Sequence, residues 1–121
     1  MSTQVQRSHS KLVSDLAKSG QHIIQDLNPT KAHLVHMALG VAGEAGELLD
    51  ALKRHAIYGK ALDRENVIEE LGDLEFYLEG IRAALDISRD RVIESNIAKL
   101  RKRYPEGAYT NHAAIVRADK V

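Results

Sequence analysis

Two short acidic motifs hold most of the chemistry that this sequence could perform. In Gly43-Glu44-Ala45-Gly46-Glu47-Leu48 two glutamates stand three residues apart, and Glu70-Leu71-Gly72-Asp73 repeats the spacing with a glutamate and an aspartate. On an α-helix that spacing puts both carboxylates of a pair on one face, about one turn apart. Like charges so placed repel each other. Apolar neighbours such as Leu48, Leu49, Leu71 and Leu74 also make the surroundings costly for an unpaired carboxylate. A divalent cation removes both costs. Magnesium takes oxygen ligands in octahedral geometry, keeps several waters and bridges carboxylates to phosphates, so four acids facing one another suit one or two such ions. No aspartate-rich glycine loop of the EF-hand type is present to favour structural calcium. Acids at this spacing also occur on ordinary solvated helix faces, which is the reading for Asp50, Glu65, Glu75 and Glu79; Glu69, beside Glu70, stays open as a reactive group. Ala45, Gly46 and Gly72 next to the pairs are what distinguish them, since a solvated face has no need of small residues there.

A second group has the opposite charge. Asn96, Lys99 and Arg103 recur at intervals of three and four in Asn96-Ile97-Ala98-Lys99-Leu100-Arg101-Lys102-Arg103-Tyr104, so they share a helix face and can clasp phosphate oxygens. Arg101 and Lys102 fit the simpler role of complementing the helix C-terminal dipole, and that reading also stands open for Lys99 and Arg103. His33 and His36 are three apart on the helix before the first acidic pair. No Glu-x-x-His pairing or Cys/His zinc spacing accompanies them, so they read as structural or as lining a base pocket.

The elements that must position these groups are helical. Only two prolines and one phenylalanine occur, with no tryptophan, and Ala, Leu, Glu, Lys and Arg are abundant. Leu12, Leu16, Ile23 and Leu27 mark a first helix that stops at Asn28-Pro29-Thr30. A second runs from a cap near Thr30 to Tyr58-Gly59 and contains Gly40, Gly43 and Gly46, each costing a helix interior about 1 kcal/mol against alanine. Close approach of another helix or a ligand would compensate. Asp63 caps a third helix ending near Asp86, and Ser88 caps a fourth with Val92, Ile93, Ile97 and Leu100 on one stripe, closed by Tyr104-Pro105 and Gly107. The expectation is an all-α, four-helix single domain over 1–121, with 1–8 and about 108–121 as flexible tails, completed by pairing with further copies as a homodimer or homotetramer.

Composition removes several function classes. Lysine plus arginine balance aspartate plus glutamate at 17 each, so no broad field recommends nucleic acid or a membrane as partner. Cysteine is absent, which excludes disulfides, thiolate metal sites and cysteine nucleophiles and accords with a cytoplasmic location. There is no Walker loop, serine triad or dinucleotide fingerprint.

The stretches GVAGEAGELLDALKR, NVIEELGDLEFYL and NIAKLRKRYPEGAY, in this order, resemble the MazG-like nucleoside triphosphate pyrophosphohydrolases of the all-α pyrophosphatase superfamily, over roughly residues 30 to 110. The resemblance implies magnesium-dependent hydrolysis of a nucleoside triphosphate to the monophosphate and pyrophosphate, as nucleotide-pool house-cleaning, with manganese as a substitute ion. It implies Glu44, Glu47, Glu70 and Asp73 as catalytic metal ligands, Lys99 and Arg103 as phosphate contacts, and Asn96 as their helper. One common form of the motif has a further glutamate, a candidate general base, where this chain has Gly43. Water activation then falls to the metal, to a ligand carboxylate or to Glu69. That departure keeps a non-catalytic nucleotide-binding member of the fold as an alternative, and a helical interaction module with solvated acids as another.

Overall fold

A computed structural model describes residues 1–120 of the chain. The described residues contain α-helices and one 3-10 turn and no strand: α1 (Gln4–Leu16), α2 (Gly20–Asp26), α3 (Pro29–Ala56), α4 (Arg64–Ala84), α5 (Arg89–Arg103), α6 (Asn111–Val116) and the 3-10 turn Ala118–Lys120. The all-α expectation holds, with six α-helices among the described residues, two of them the short α2 and α6. Two compact units divide the chain, Met1–His33 and Leu34–Val121.

In the first unit the single helix expected through Leu12 and Leu27 is two. Ser19 interrupts it, because its side chain accepts a hydrogen bond from the His22 amide and so starts α2 afresh, with Gly20 behind it. A capping box between Thr3 and Gln6 starts α1. The cap of α3 is Asn28, not Thr30: its Oδ1 accepts from the Lys31 amide at 2.8 Å, and Pro29 takes the first helical position, where a missing N–H costs nothing.

The second unit carries the site. Asp63 caps α4 and Ser88 caps α5, each accepting from an amide three residues on, as their sequence predicted. Gly59, at φ +69°, lets the chain leave α3 and turn back, so that α3 and α4 run antiparallel. Their seam is recorded in pairs whose numbers rise on one helix and fall on the other: Met37 lies against Gly80, Gly40 against the ring of Tyr77, and Glu44 against Glu70 and Asp73. Leu34, Met37, Val41, Leu48 and Ala51 turn inward along α3, and Val67, Leu74, Tyr77, Leu78 and Ile81 along α4. Among the described residues only Met37 and Ala51 are buried, at 6 and 9 % exposure.

Where the sequence suggested a tail, the chain forms α6 and the 3-10 turn, which pack on α5. The fastening is a bidentate ion pair: Arg103 donates from Nε and Nη2 to the two carboxylate oxygens of Asp119, at 2.7 and 3.0 Å. The Asp119 side chain is 2 % exposed and that of Arg103 16 %. The Arg103 hydrogen bonds outweigh the opposing effect of burial and lower the Asp119 carboxyl to about 2. A depressed carboxyl contributes stability that is complete above its ordinary value of 3.8 and is lost as pH falls through about 2. Asp119→Ala should therefore lower Tm by on the order of 5 °C at pH 7, with a much smaller difference from wild type near pH 2. Thermal melts by circular dichroism at the two pH values check this.

Candidate metal and phosphate site

The two acidic motifs meet across the α3–α4 seam. One carboxylate oxygen each from Glu44, Glu70 and Asp73 can be chosen such that all lie within 4.8 Å of one another. Glu44 and Glu70 are half-buried and Asp73 is exposed, so the cluster opens to solvent on the Asp73 side. Antiparallel register explains the meeting: a pair three apart on each helix, placed at matching heights, faces its counterpart over about one turn.

Glu47 lies at the edge of this group. It is exposed and outside the trio, although its charge is felt at Glu70. Glu69 is exposed and likewise outside the trio. The Glu70 carboxyl is held above the ordinary range, first by partial desolvation, then by the adjacent Glu44 carboxylate, with which it can share a proton, and by the charges of Glu47 and Asp73. No lysine or arginine among the described residues pairs with any of the four acids. Three other acids of α3 and α4 do find cations: Asp50 pairs with Arg54, and Glu75 and Glu79 with Arg82. A tight set of hard oxygen donors, crowded with negative charge and without a counter-ion from its own chain, fits a small divalent cation.

A raised carboxyl works against the fold. Its stabilising contribution is complete below the ordinary 4.5 and is lost as pH rises through the folded value, so at neutral pH ionised Glu70 strains the seam. Glu70→Gln should therefore raise the metal-free Tm at pH 8 while abolishing any Tm rise on adding magnesium. Wild type should show that rise at pH 8 and show progressively less of it as pH is lowered, because protons compete with the metal for the same oxygens.

Beside the acids lies a recess of about 290 Å³, lined by Glu44, Asp73, Phe76 and Tyr77. The Phe76 and Tyr77 rings meet edge to face with centroids 5.1 Å apart, and His36 stands edge-on to Tyr77 at 6.3 Å. His36 thus lies near this wall. Tyr77 falls four residues after Asp73, on the same face of α4.

The expected phosphate contacts lie on α5. Asn96 and Lys99 are exposed and no side-chain hydrogen bond or ion pair engages them among the described residues. Arg103, by contrast, is engaged by Asp119, which also raises its own pKa. In this structure it fastens the C-terminal segment. Asp119 itself could not have been read from the sequence, since it follows Arg103 by 16 residues across two turns of chain.

No described helix is long and apolar enough to cross a membrane. Comparison with curated proteins and with solved structures gave no match. The sequence does match the MazG nucleotide pyrophosphohydrolase domain over residues 33–108, which take in α3 almost whole, all of α4 and α5, and with them Glu44, Glu47, Glu70, Asp73, Asn96, Lys99 and Arg103, while Asp119 lies beyond the match. The family acts on nucleotides and is generally metal-dependent, in keeping with a carboxylate cluster able to hold an ion. With more than half of its length matched, this chain belongs to the MazG nucleotide pyrophosphohydrolase domain family.

Proposed function

We propose that the protein hydrolyses a nucleoside or deoxynucleoside triphosphate at the α-β phosphoanhydride, giving the monophosphate and pyrophosphate, in a magnesium-dependent reaction. The observation that carries this reading is the convergence of Glu44, Glu70 and Asp73 across the α3–α4 seam within the matched domain. Those three, with Glu47, hold magnesium, for which manganese substitutes. When bound, the ion supplies neutralisation of phosphate charge and acidification of a coordinated water. The chain's own groups do the rest. Lys99 and Asn96 stand free to take the departing pyrophosphate, whose charge grows as the bond breaks. Arg103 joins them only if it leaves Asp119.

Proton acceptance falls to an acid at the rim of the trio. Glu69 and Glu47 both qualify by exposure, and Glu47 is better placed because its charge reaches Glu70. The chain works in the cytoplasm as a homodimer or homotetramer, in the house-cleaning of nucleotide pools.

A panel of triphosphates with magnesium, assayed separately for pyrophosphate and monophosphate, tests the proposal. Turnover that stops on chelation and returns with magnesium or manganese is the expected result. Tight magnesium-dependent binding with no pyrophosphate after long incubation would instead favour a non-catalytic nucleotide binder, the role that Gly43 in place of an acid suggests.

A further inference from the structure

Arg103 already holds an anion. Asn96, Lys99 and Arg103 recur on α5 at intervals of three and four and so share a face, yet only Arg103 is engaged among the described residues, donating from both Nε and Nη2 to Asp119. A carboxylate and a phosphate offer the guanidinium fork the same pair of acceptor oxygens. Asp119 therefore fills the place that a phosphate would take. It lies beyond residues 33–108, so the clasp is a feature of this chain in addition to the matched domain.

The segment that carries Asp119 has little else to hold it on α5. In α6 and the 3-10 turn only Ala113, Ala114, Ala118 and Asp119 are half-buried, while Ile115 and Val116 are 80 and 54 % exposed. Three alanine methyl groups bury little apolar area. The backbone hydrogen bonds of 111–120 stay within the segment or reach Thr110, and among the described residues none joins it to α5. Between α6 and the turn, Arg117 sits at φ +51°, a left-handed conformation unfavourable to a residue with its side chain. The attraction within a buried ion pair is largely offset by desolvation, so an anion of higher charge competes well for the same guanidinium. What one ion pair fastens, another can release.

We propose that α6 and the 3-10 turn form an autoinhibitory strap, in which Asp119 occupies Arg103 until the phosphates of a nucleoside triphosphate take its place and residues 111–120 leave α5. The apparent affinity for substrate is then lowered by the fraction of chains in which the strap is closed. This deepens the pyrophosphohydrolase reading and rests on it for the effect on catalysis; displacement of the strap requires only that a phosphate chain bind Arg103.

Asp119→Asn keeps the size of the side chain and removes its charge. For the triphosphate that wild type hydrolyses fastest, KM is expected to fall about tenfold with kcat within about twofold, the shift for a strap closed in about ten chains of eleven. Asp119→Glu, which keeps the charge, should retain the wild-type KM, and Arg103→Ala combined with Asp119→Asn should show no fall. A KM unchanged or raised by Asp119→Asn is what a purely structural role gives, and it would overturn the proposal. Hydrogen exchange on the wild type supplies a reading without catalysis. The amides of Arg117 and Lys120 donate to Ala113 and Arg117 in the closed strap, and a six-residue helix released from α5 does not persist. Inorganic pyrophosphate with magnesium should therefore speed exchange at these two amides, whereas a ligand that leaves the strap in place slows it or changes nothing. Slower or unchanged exchange would sink the strap. Faster exchange in a protein that hydrolyses no triphosphate would keep the strap and defeat the pyrophosphohydrolase reading; hydrolysis with KM unchanged in Asp119→Asn would do the reverse.

Discussion

Asp73→Asn and Glu44→Gln are each expected to slow pyrophosphate release by about a thousandfold, the equivalent of several kcal/mol of lost charge stabilisation, while leaving the helical content unchanged. Both residues belong to the trio whose oxygens lie within 4.8 Å, so each substitution removes a charge from the set able to hold an ion. The amide keeps the size and planar shape of the side chain while replacing one acceptor oxygen by a donor, which separates the loss of charge from a loss of packing. Glu69→Gln provides the comparison, since Glu69 sits next in sequence to Glu70 but outside the trio. A small effect there, with a thousandfold effect at Asp73, assigns the chemistry to the seam rather than to acidity in general. Steady-state rates at saturating magnesium, with circular dichroism on each variant, make the measurement.

Gly40→Ala carries the largest expected effect on stability. An added methyl group at position 40 meets the ring of Tyr77 at three atoms, and a half-buried aromatic ring packed against Phe76 and His36 has little room to yield. Overpacking of this kind costs about 1 to 3 kcal/mol, or roughly 5 to 15 °C in Tm, although alanine is by itself the better helix former by about 1 kcal/mol. Gly80→Ala meets the thioether end of Met37, a flexible group that can move aside, and should cost less. Gly46→Ala meets nothing within 4 Å of its own chain and should raise Tm slightly in a dilute monomer. Melting curves of the three variants order these expectations, and a Tm for Gly40→Ala equal to wild type would contradict the packing described for the seam.

The glycines also show how far the sequence could be read. Three of them in one helix signalled that something comes close, and at Gly40 that something is Tyr77. Nothing in the spacing could say which of the three is approached, because that depends on the register between two helices. The acidic pairs were legible for the converse reason: a spacing of three fixes one face within a helix, and only the antiparallel turn at Gly59 was needed to bring the faces together. Caps at Asp63 and Ser88 were readable since they act over three residues. The break at Ser19 was not, because apolar periodicity continued across it from Leu16 to Ile23. Nor was the clasp of Arg103 on Asp119, a long-range pair with no periodic signal that fastens the C-terminal segment to α5.

The carboxylate cluster can hold a metal in several kinds of protein; the proposed reaction requires in addition that water attack the α-phosphorus. Hydrolysis in oxygen-18 water, followed by phosphorus-31 NMR and mass spectrometry of both products, tests that claim most directly. The expected result is one labelled oxygen in the nucleoside monophosphate and none in pyrophosphate. Label in pyrophosphate, or release of orthophosphate with a nucleoside diphosphate, would contradict it.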